Sequence, residues 1–157
     1  MSKNLKDIVI TTALRTPIGR YNGIFKDKHA HELGSIVIKE ILNKSNLKPN
    51  DIDEIIMGQV LTGLTGQNPA RQAAILANIP KEKTAYLINQ VCGSGLRAIV
   101  AGYQSVLLDD SDIIIAGGQE SMTKSTEKMI LKDGLIDAFN NYHMGITAEN
   151  VAEKWNI

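Results

Sequence analysis

The chain has 157 residues, 43% of them hydrophobic, with 17 Lys and Arg offset by 17 Asp and Glu. A single domain of roughly 100–200 residues accounts for that length, and such a chain buries roughly two-thirds of its unfolded surface, enough for a true core. Zero net charge excludes the clustered basic surface that drives phosphate-backbone binding, so nucleic acid is not an expected partner.

Met1 to Asp7 is polar, and the apolar run Ile8 to Ile10 is far too short for a signal peptide or a membrane span. The expected location is cytoplasmic, with no membrane partner. Ile8 to Thr12 is β-branched and runs into Arg15-Thr16-Pro17, which predicts a strand entering a turn. Leu33, Ile36, Val37 and Ile41 then follow helical spacing over Ala30 to Leu42, and Lys48-Pro49-Asn50 ends the pattern. Asp51 to Leu61 predicts a second strand and Gly63 to Gln67 a glycine-rich loop. Asn68 followed by Pro69 is a helix start, a capping side chain before a proline in the first turn, and Ala70, Ala73, Ala74 and Ala77 form a small-residue face.

Thr84 to Val91 predicts a third strand with apolar residues on both sides, which implies burial on both faces. Gly93 to Leu108 predicts a third helix with Leu96, Ile99, Val100, Tyr103, Val106 and Leu107 as its buried stripe. Asp112 to Gly117 carries the run Ile113-Ile114-Ile115 and predicts a fourth strand. This alternation predicts an α/β fold with a largely parallel sheet and right-handed crossovers. From Ser121 to Ile157 the pattern weakens into a polar, methionine-bearing tail with two weak helical segments. The last of these places Ala148, Val151, Ala152 and Trp155 at helical spacing with Thr147 as N-cap. It has no C-cap, and a helix that begins to bury a Trp and then stops implies a chain shorter than its fold.

The single cysteine cannot close an internal disulfide, which leaves a buried small hydrophobe or a reactive thiol. It stands in Asn89-Gln90-Val91-Cys92-Gly93-Ser94-Gly95-Leu96, where a strand turns sharply into a helix and two glycines permit a tight backbone. The helix N-terminus favours a thiolate there by up to ~2 kcal/mol, and backbone N–H groups at the same end suit an oxyanion on an attacked thioester. Full activation calls for a neighbouring base. A competing reading takes Gly93-Ser94-Gly95-Leu96-Arg97-Ala98 as a dinucleotide fingerprint. That motif needs an acidic residue at the end of the next strand and a place in the first strand-helix turn of its domain. Here Asp109, Asp110 and Asp112 precede the strand, Glu120 lies beyond a Gly-Gly turn, and the turn is the third. His29 and His31 sit beside Glu32 at the start of the first helix, which suits a surface or helix-start role. His143, in Tyr142-His143-Met144-Gly145, lies in the tail. No pair of ligands has metal spacing, so no metal site is expected.

Taken together, Arg15-Thr16-Pro17-Ile18-Gly19, Gly66-Gln67-Asn68-Pro69-Ala70-Arg71, the Cys92 segment, Gly117-Gly118-Gln119-Glu120-Ser121-Met122 and Tyr142 to Asn150 resemble the N-terminal part of a thiolase. The resemblance implies a thiolase-like N-terminal α/β half over residues 1–120, with a mixed, mostly parallel sheet flanked by helices. Residues 121–157 would be the start of a shortened loop domain. It implies acetyl transfer between coenzyme A thioesters, which are substrates and not permanently bound cofactors. Cys92 would attack acetyl-CoA or another short acyl-CoA, hold the acetyl group as a thioester, and pass it to the enolate of a second acetyl-CoA. His143 and Met144 would line the acyl and pantetheine pocket, the Thr84 to Val91 strand would lie near a dimer interface, and the protein would be a homo-oligomer. The family's base histidine, in a Gly-His-Pro motif, and its acid cysteine, in a Cys-x-Gly-Gly-Gly motif, have no counterpart here. Turnover therefore calls for a complementing C-terminal half, the alternative being a non-catalytic fragment or interaction module. The segment between Met122 and Lys132 is also shorter than the family's.

Overall fold

The computed structural model describes residues 7–157. Helix α1 (Ala30–Ser45) leads through a single turn at Pro49–Asp51 into strand β1 (Glu54–Gly58). Helix α2 (Pro69–Leu76), strand β2 (Thr84–Ile88), helix α3 (Ser94–Leu107) and strand β3 (Ile114–Gly118) follow. The three strands form one parallel sheet in the order β2-β1-β3, with Glu54 opposite both Thr84 and Ile114. Among the described residues the sheet is wholly parallel, without the antiparallel member that a mixed sheet would need.

Central β1 feeds both layers because strand side chains alternate. Ile55 and Met57 join Ile38 and Leu42 of α1 and Ala70, Ala73 and Ala74 of α2 in the main core. Ile56 points the other way, toward Gly102 of α3, which also touches Ile114 and Ala116 of β3. The alanine face of α2 lets α1 and α2 approach closely, as its residue sizes predict. Asn68 caps α2 by accepting from the Arg71 N–H at 3.1 Å, and its own amide donates to the Ala85 carbonyl at 2.9 Å, fastening the helix start to β2.

Four expectations need correction. Ile8 to Thr12 pairs with no strand among the described residues, and Val9 and Ile10 are exposed. β-branching makes that segment fit to be a strand but supplies no neighbour. Strand β2 is only half-buried, with Tyr86 exposed, because it is an edge of the sheet. In α3 the buried residues are Ser94, Ala98 and Gly102, while Leu96 is 70% exposed and Ile99, Val100 and Tyr103 are also exposed. A ridge of small residues brings the helix close to the sheet, and the large apolar stripe is turned outward. Val106 and Leu107 are half-buried.

Beyond β3 a turn at Met122–Lys124 precedes a short helix α4 (Glu127–Met129) that widens into a π-helical stretch, Ile130–Leu135. Helix α5 (Met144–Trp155) ends the chain. The fourth correction is at its ends: His143 and not Thr147 is the N-cap, and Asn156 closes the helix in the left-handed conformation with φ 54°. No residue of α5 is buried, and Trp155 is 65% exposed with the Lys154 ammonium 5.3 Å from its ring centre.

Candidate active site

Cys92 lies exposed in the turn between β2 and α3, immediately before the helix N-terminus. The turn is tight because Val91 adopts φ 48°, a left-handed conformation that costs a β-branched residue roughly 1–3 kcal/mol. Two side chains hold it there. Asn89 accepts from the Val91 N–H at 2.9 Å, and the buried Ser94 hydroxyl donates to the Val91 carbonyl at 2.6 Å while accepting from the Gln90 N–H at 2.8 Å. Gly93, by contrast, has φ −84°, so the conformational freedom expected of the glycines is not what turns the chain.

Glycine matters instead at Gly58, the last residue of β1. A Cβ there would overlap the Ser94 carbonyl carbon and the Gly95 nitrogen, so only glycine lets the start of α3 rest on the end of β1. The thiol thus comes to the C-terminal end of the sheet, beside a cleft of about 420 Å³. Gly58, Val60, Cys92, Gly95, Gln119 and Glu120 line it together with Met122, Ile130 and Leu135 of the tail. A second surface depression of about 480 Å³, lined by Glu127, Lys128, Leu131 and Lys132 of the tail, does not include Cys92.

The cleft wall is braced by hydrogen bonds between the segments leaving β1 and β3. The Gln119 N–H donates to the Gly58 carbonyl at 2.9 Å, and its side-chain amide donates to Gln59 Oε1 at 2.9 Å. Gln59 in turn donates to the Leu61 carbonyl at 2.8 Å. Both amides are buried, Gln119 at 7% exposure. Glu120 completes the brace: Oε2 accepts from the Val60 N–H at 2.8 Å, and both oxygens lie within reach of the Leu61 N–H at 3.3 and 3.4 Å. Burial pushes the Glu120 carboxyl above the usual carboxylate range, outweighing the backbone N–H groups of Val60, Leu61 and Ser121 that favour its charge.

His143 and Met144 do not border this cleft. His143 Nδ1 accepts from the Gly145 N–H at 2.9 Å as the cap of α5, and its backbone bridges Ile136. His29 caps α1, its N–H donating to Glu32 Oε2 at 2.8 Å, and its ring stacks on His31 at 5.4 Å. Burial, and then the charge of His29, hold the His31 imidazole below its ordinary value. Among the described residues no three His, Cys, Asp or Glu side chains gather as a metal site would require, and no helix is long and apolar enough to cross a membrane. Cys92, singled out in the sequence, lines this cleft, and so does Glu120, which the sequence did not single out. Its place two residues beyond the glycine pair that ends β3 was the available signal.

A thiol held at a strained strand-to-helix turn, over the C-terminal ends of a parallel sheet, defines an α/β protein of the class that can present a cysteine nucleophile. Residues 8–130 and 124–157 match the thiolase N-terminal domain, and the chain belongs to the thiolase family. It is 50% identical over 165 residues to the acetyl-CoA acetyltransferase of Paracoccus denitrificans, an alignment covering 95% of this chain and 42% of that protein. Identity to the acetyl-CoA acetyltransferase of Rhizobium meliloti is 49% over 166 residues, with 96% and 42% covered. The cytosolic acetyl-CoA acetyltransferase of Mus musculus is 43% identical over 173 residues, with 100% and 44% covered. The chain therefore spans less than half the length of these relatives.

Proposed function

We propose that this chain carries the nucleophile portion of a thiolase-type acyltransferase acting on coenzyme A thioesters. Cys92 Sγ, as the thiolate, attacks the carbonyl carbon of acetyl-CoA or another short acyl-CoA. The Sγ–C bond forms, the bond from that carbon to the coenzyme A sulfur breaks, and coenzyme A leaves as a thiolate that takes up a proton from solvent. In the second half-reaction the α-carbon of another acetyl-CoA loses a proton and attacks acetyl-Cys92, releasing the free thiolate and acetoacetyl-CoA. The same steps in reverse cleave acetoacetyl-CoA. The observation that carries this reading is the exposed Cys92 at the α3 N-terminus, facing a cleft and standing inside the family match. The start of a 14-residue helix presents backbone N–H groups that suit the oxyanion of the attacked thioester.

In this reading His143 and Met144 form the acyl and pantetheine wall, a role supported by the family match over 124–157 and requiring the tail to close differently over the cleft. The acetyl-CoA α-proton needs a base; Glu120, the one carboxyl in the cleft lining, is engaged by the Val60 and Leu61 N–H groups, and losing a base typically costs ~10²–10⁴-fold in rate. A complementing C-terminal half supplies it. The outward stripe Leu96, Ile99, Val100 and Tyr103 of α3 supports such a partner, since a contiguous apolar helix face is what a docking half would cover.

Incubation of the chain with labelled acetyl-CoA tests this. The expected result is an acetyl mass increment on Cys92, absent in Cys92→Ser, and turnover to acetoacetyl-CoA only after the C-terminal half of a relative is added. No label on Cys92 even with that half present overturns the reading.

A further inference from the structure

We propose that Glu120 is a positioning residue for Cys92 chemistry: its carboxylate clamps the Val60-Leu61 backbone and so fixes the cleft wall against which a thioester is seated beside the thiol. The assignment rests on the acyl-transfer reading for its consequence and on the cleft geometry for its cause. Glu120 and Cys92 line the same cleft from different elements, one following β3 and the other preceding α3. Val60 and Leu61 line it as well, and their N–H groups both donate to the carboxylate. A carboxylate suits this task because it offers two acceptor oxygens, whereas a carboxamide offers one. The neighbouring pair, Gln119 on Gln59 and Gln59 on the Leu61 carbonyl, already ties the two segments with neutral groups. A charged clamp is thus not required simply to join them.

Its cost points the same way. Burial disfavours the charge of Glu120, and its hydrogen bonds do not offset that burial. A carboxylate held at a disadvantage in the wall of a cleft that also presents a nucleophile is placed for the site more than for the fold.

Three measurements on the full chain test the assignment, each on the parent, Glu120→Gln and Glu120→Ala. The first is the rate of Cys92 acetylation by acetyl-CoA, the second Cys92 alkylation by iodoacetamide, and the third hydrogen exchange at the Val60 and Leu61 amides. Misplacing a reacting group by about 1 Å costs on the order of 10²-fold, so Glu120→Ala should acetylate about 10²-fold more slowly. Its alkylation, which needs no seated thioester, should stay within about twofold of the parent. Val60 and Leu61 should lose about tenfold in protection, the scale of a lost charge-assisted hydrogen bond. Glu120→Gln should recover the Val60 protection and most of the acetylation rate. Parent-like acetylation in Glu120→Ala overturns the proposal, as does an equal fall in alkylation and acetylation, which marks general loss of structure. If the parent itself takes up no acetyl group while Cys92 still alkylates, the acyl-transfer reading fails. The clamp is then judged on the amides alone: unchanged protection in Glu120→Ala overturns it, and lost protection upholds it.

Discussion

The two ends of the sheet are tied by the same device used in opposite ways. At the entering end the Asp53 carboxylate accepts from the Asp112 and Ile113 N–H groups at 2.9 and 3.0 Å and pairs with Lys83 at 3.3 Å, joining the start of β1 to the approach of β3. It sits in contact with water, and those backbone hydrogen bonds, with Lys83 assisting, hold its carboxyl below the usual range. At the exit end Glu120 makes the equivalent bonds to Val60 and Leu61 from within a cleft wall, and burial raises its carboxyl. One carboxylate stabilises the fold by being charged. The other sits where burial disfavours its charge, at the end where the cysteine is.

The largest expected disruption of this contrast is at Gly58, where the exit end meets α3. Gly58→Ala should cost about 3 kcal/mol, because the new Cβ meets backbone that cannot move without lifting the helix. The thermal midpoint should fall by about 10 °C for a chain of this size. Cys92 alkylation kinetics should change with it, while the Asp112 and Ile113 amides at the other end keep their protection in the folded state. Asp53→Asn should have a smaller effect, about 1 kcal/mol by denaturant titration, since its bonds are partly solvated and screened.

The smallest and sharpest test is the pH dependence. Asp53, with its carboxyl lowered in the folded state, contributes stability that is present above the unfolded value of about 4 and lost as pH falls through its folded value. Glu120, with its carboxyl raised, contributes stability that is present below the unfolded value of about 4.3 and lost as pH rises through its folded value. Asp53→Asn should therefore flatten the acid limb of the stability curve below about pH 4. Glu120→Gln should instead gain on the parent as pH climbs from about 4 toward 7. Parallel curves for the parent and both variants would erase the distinction between the two ends.

Much of this architecture was legible before any coordinates. Helical spacing located α1, the Asn68-Pro69 pair located the start of α2, and the β-branched runs located β1 and β3. These signals are local, so sequence order carries them. The elbow at Cys92 was legible for the same reason. Which face of α3 is buried was not, because a helix with a large apolar stripe and a small-residue ridge can pack on either. Close approach to the sheet selected Ser94, Ala98 and Gly102. The Ile8 to Thr12 segment failed as a strand because pairing is a property of neighbours. Glu120 was read for its distance from the glycine motif and as one letter of a family segment, with no role of its own, whereas its hydrogen bonds run to Val60 and Leu61, about sixty residues earlier in the chain.

The lone tryptophan gives the molecule a spectroscopic asymmetry. Trp155 stands exposed at the end of a helix with no buried residue, so its emission should already be that of an indole in water while the sheet is intact. Melting the core around Ile55 and Ala73 would pass almost unseen in fluorescence and show plainly in far-ultraviolet circular dichroism. A blue shift of the same indole would instead report that something had come to rest on α5.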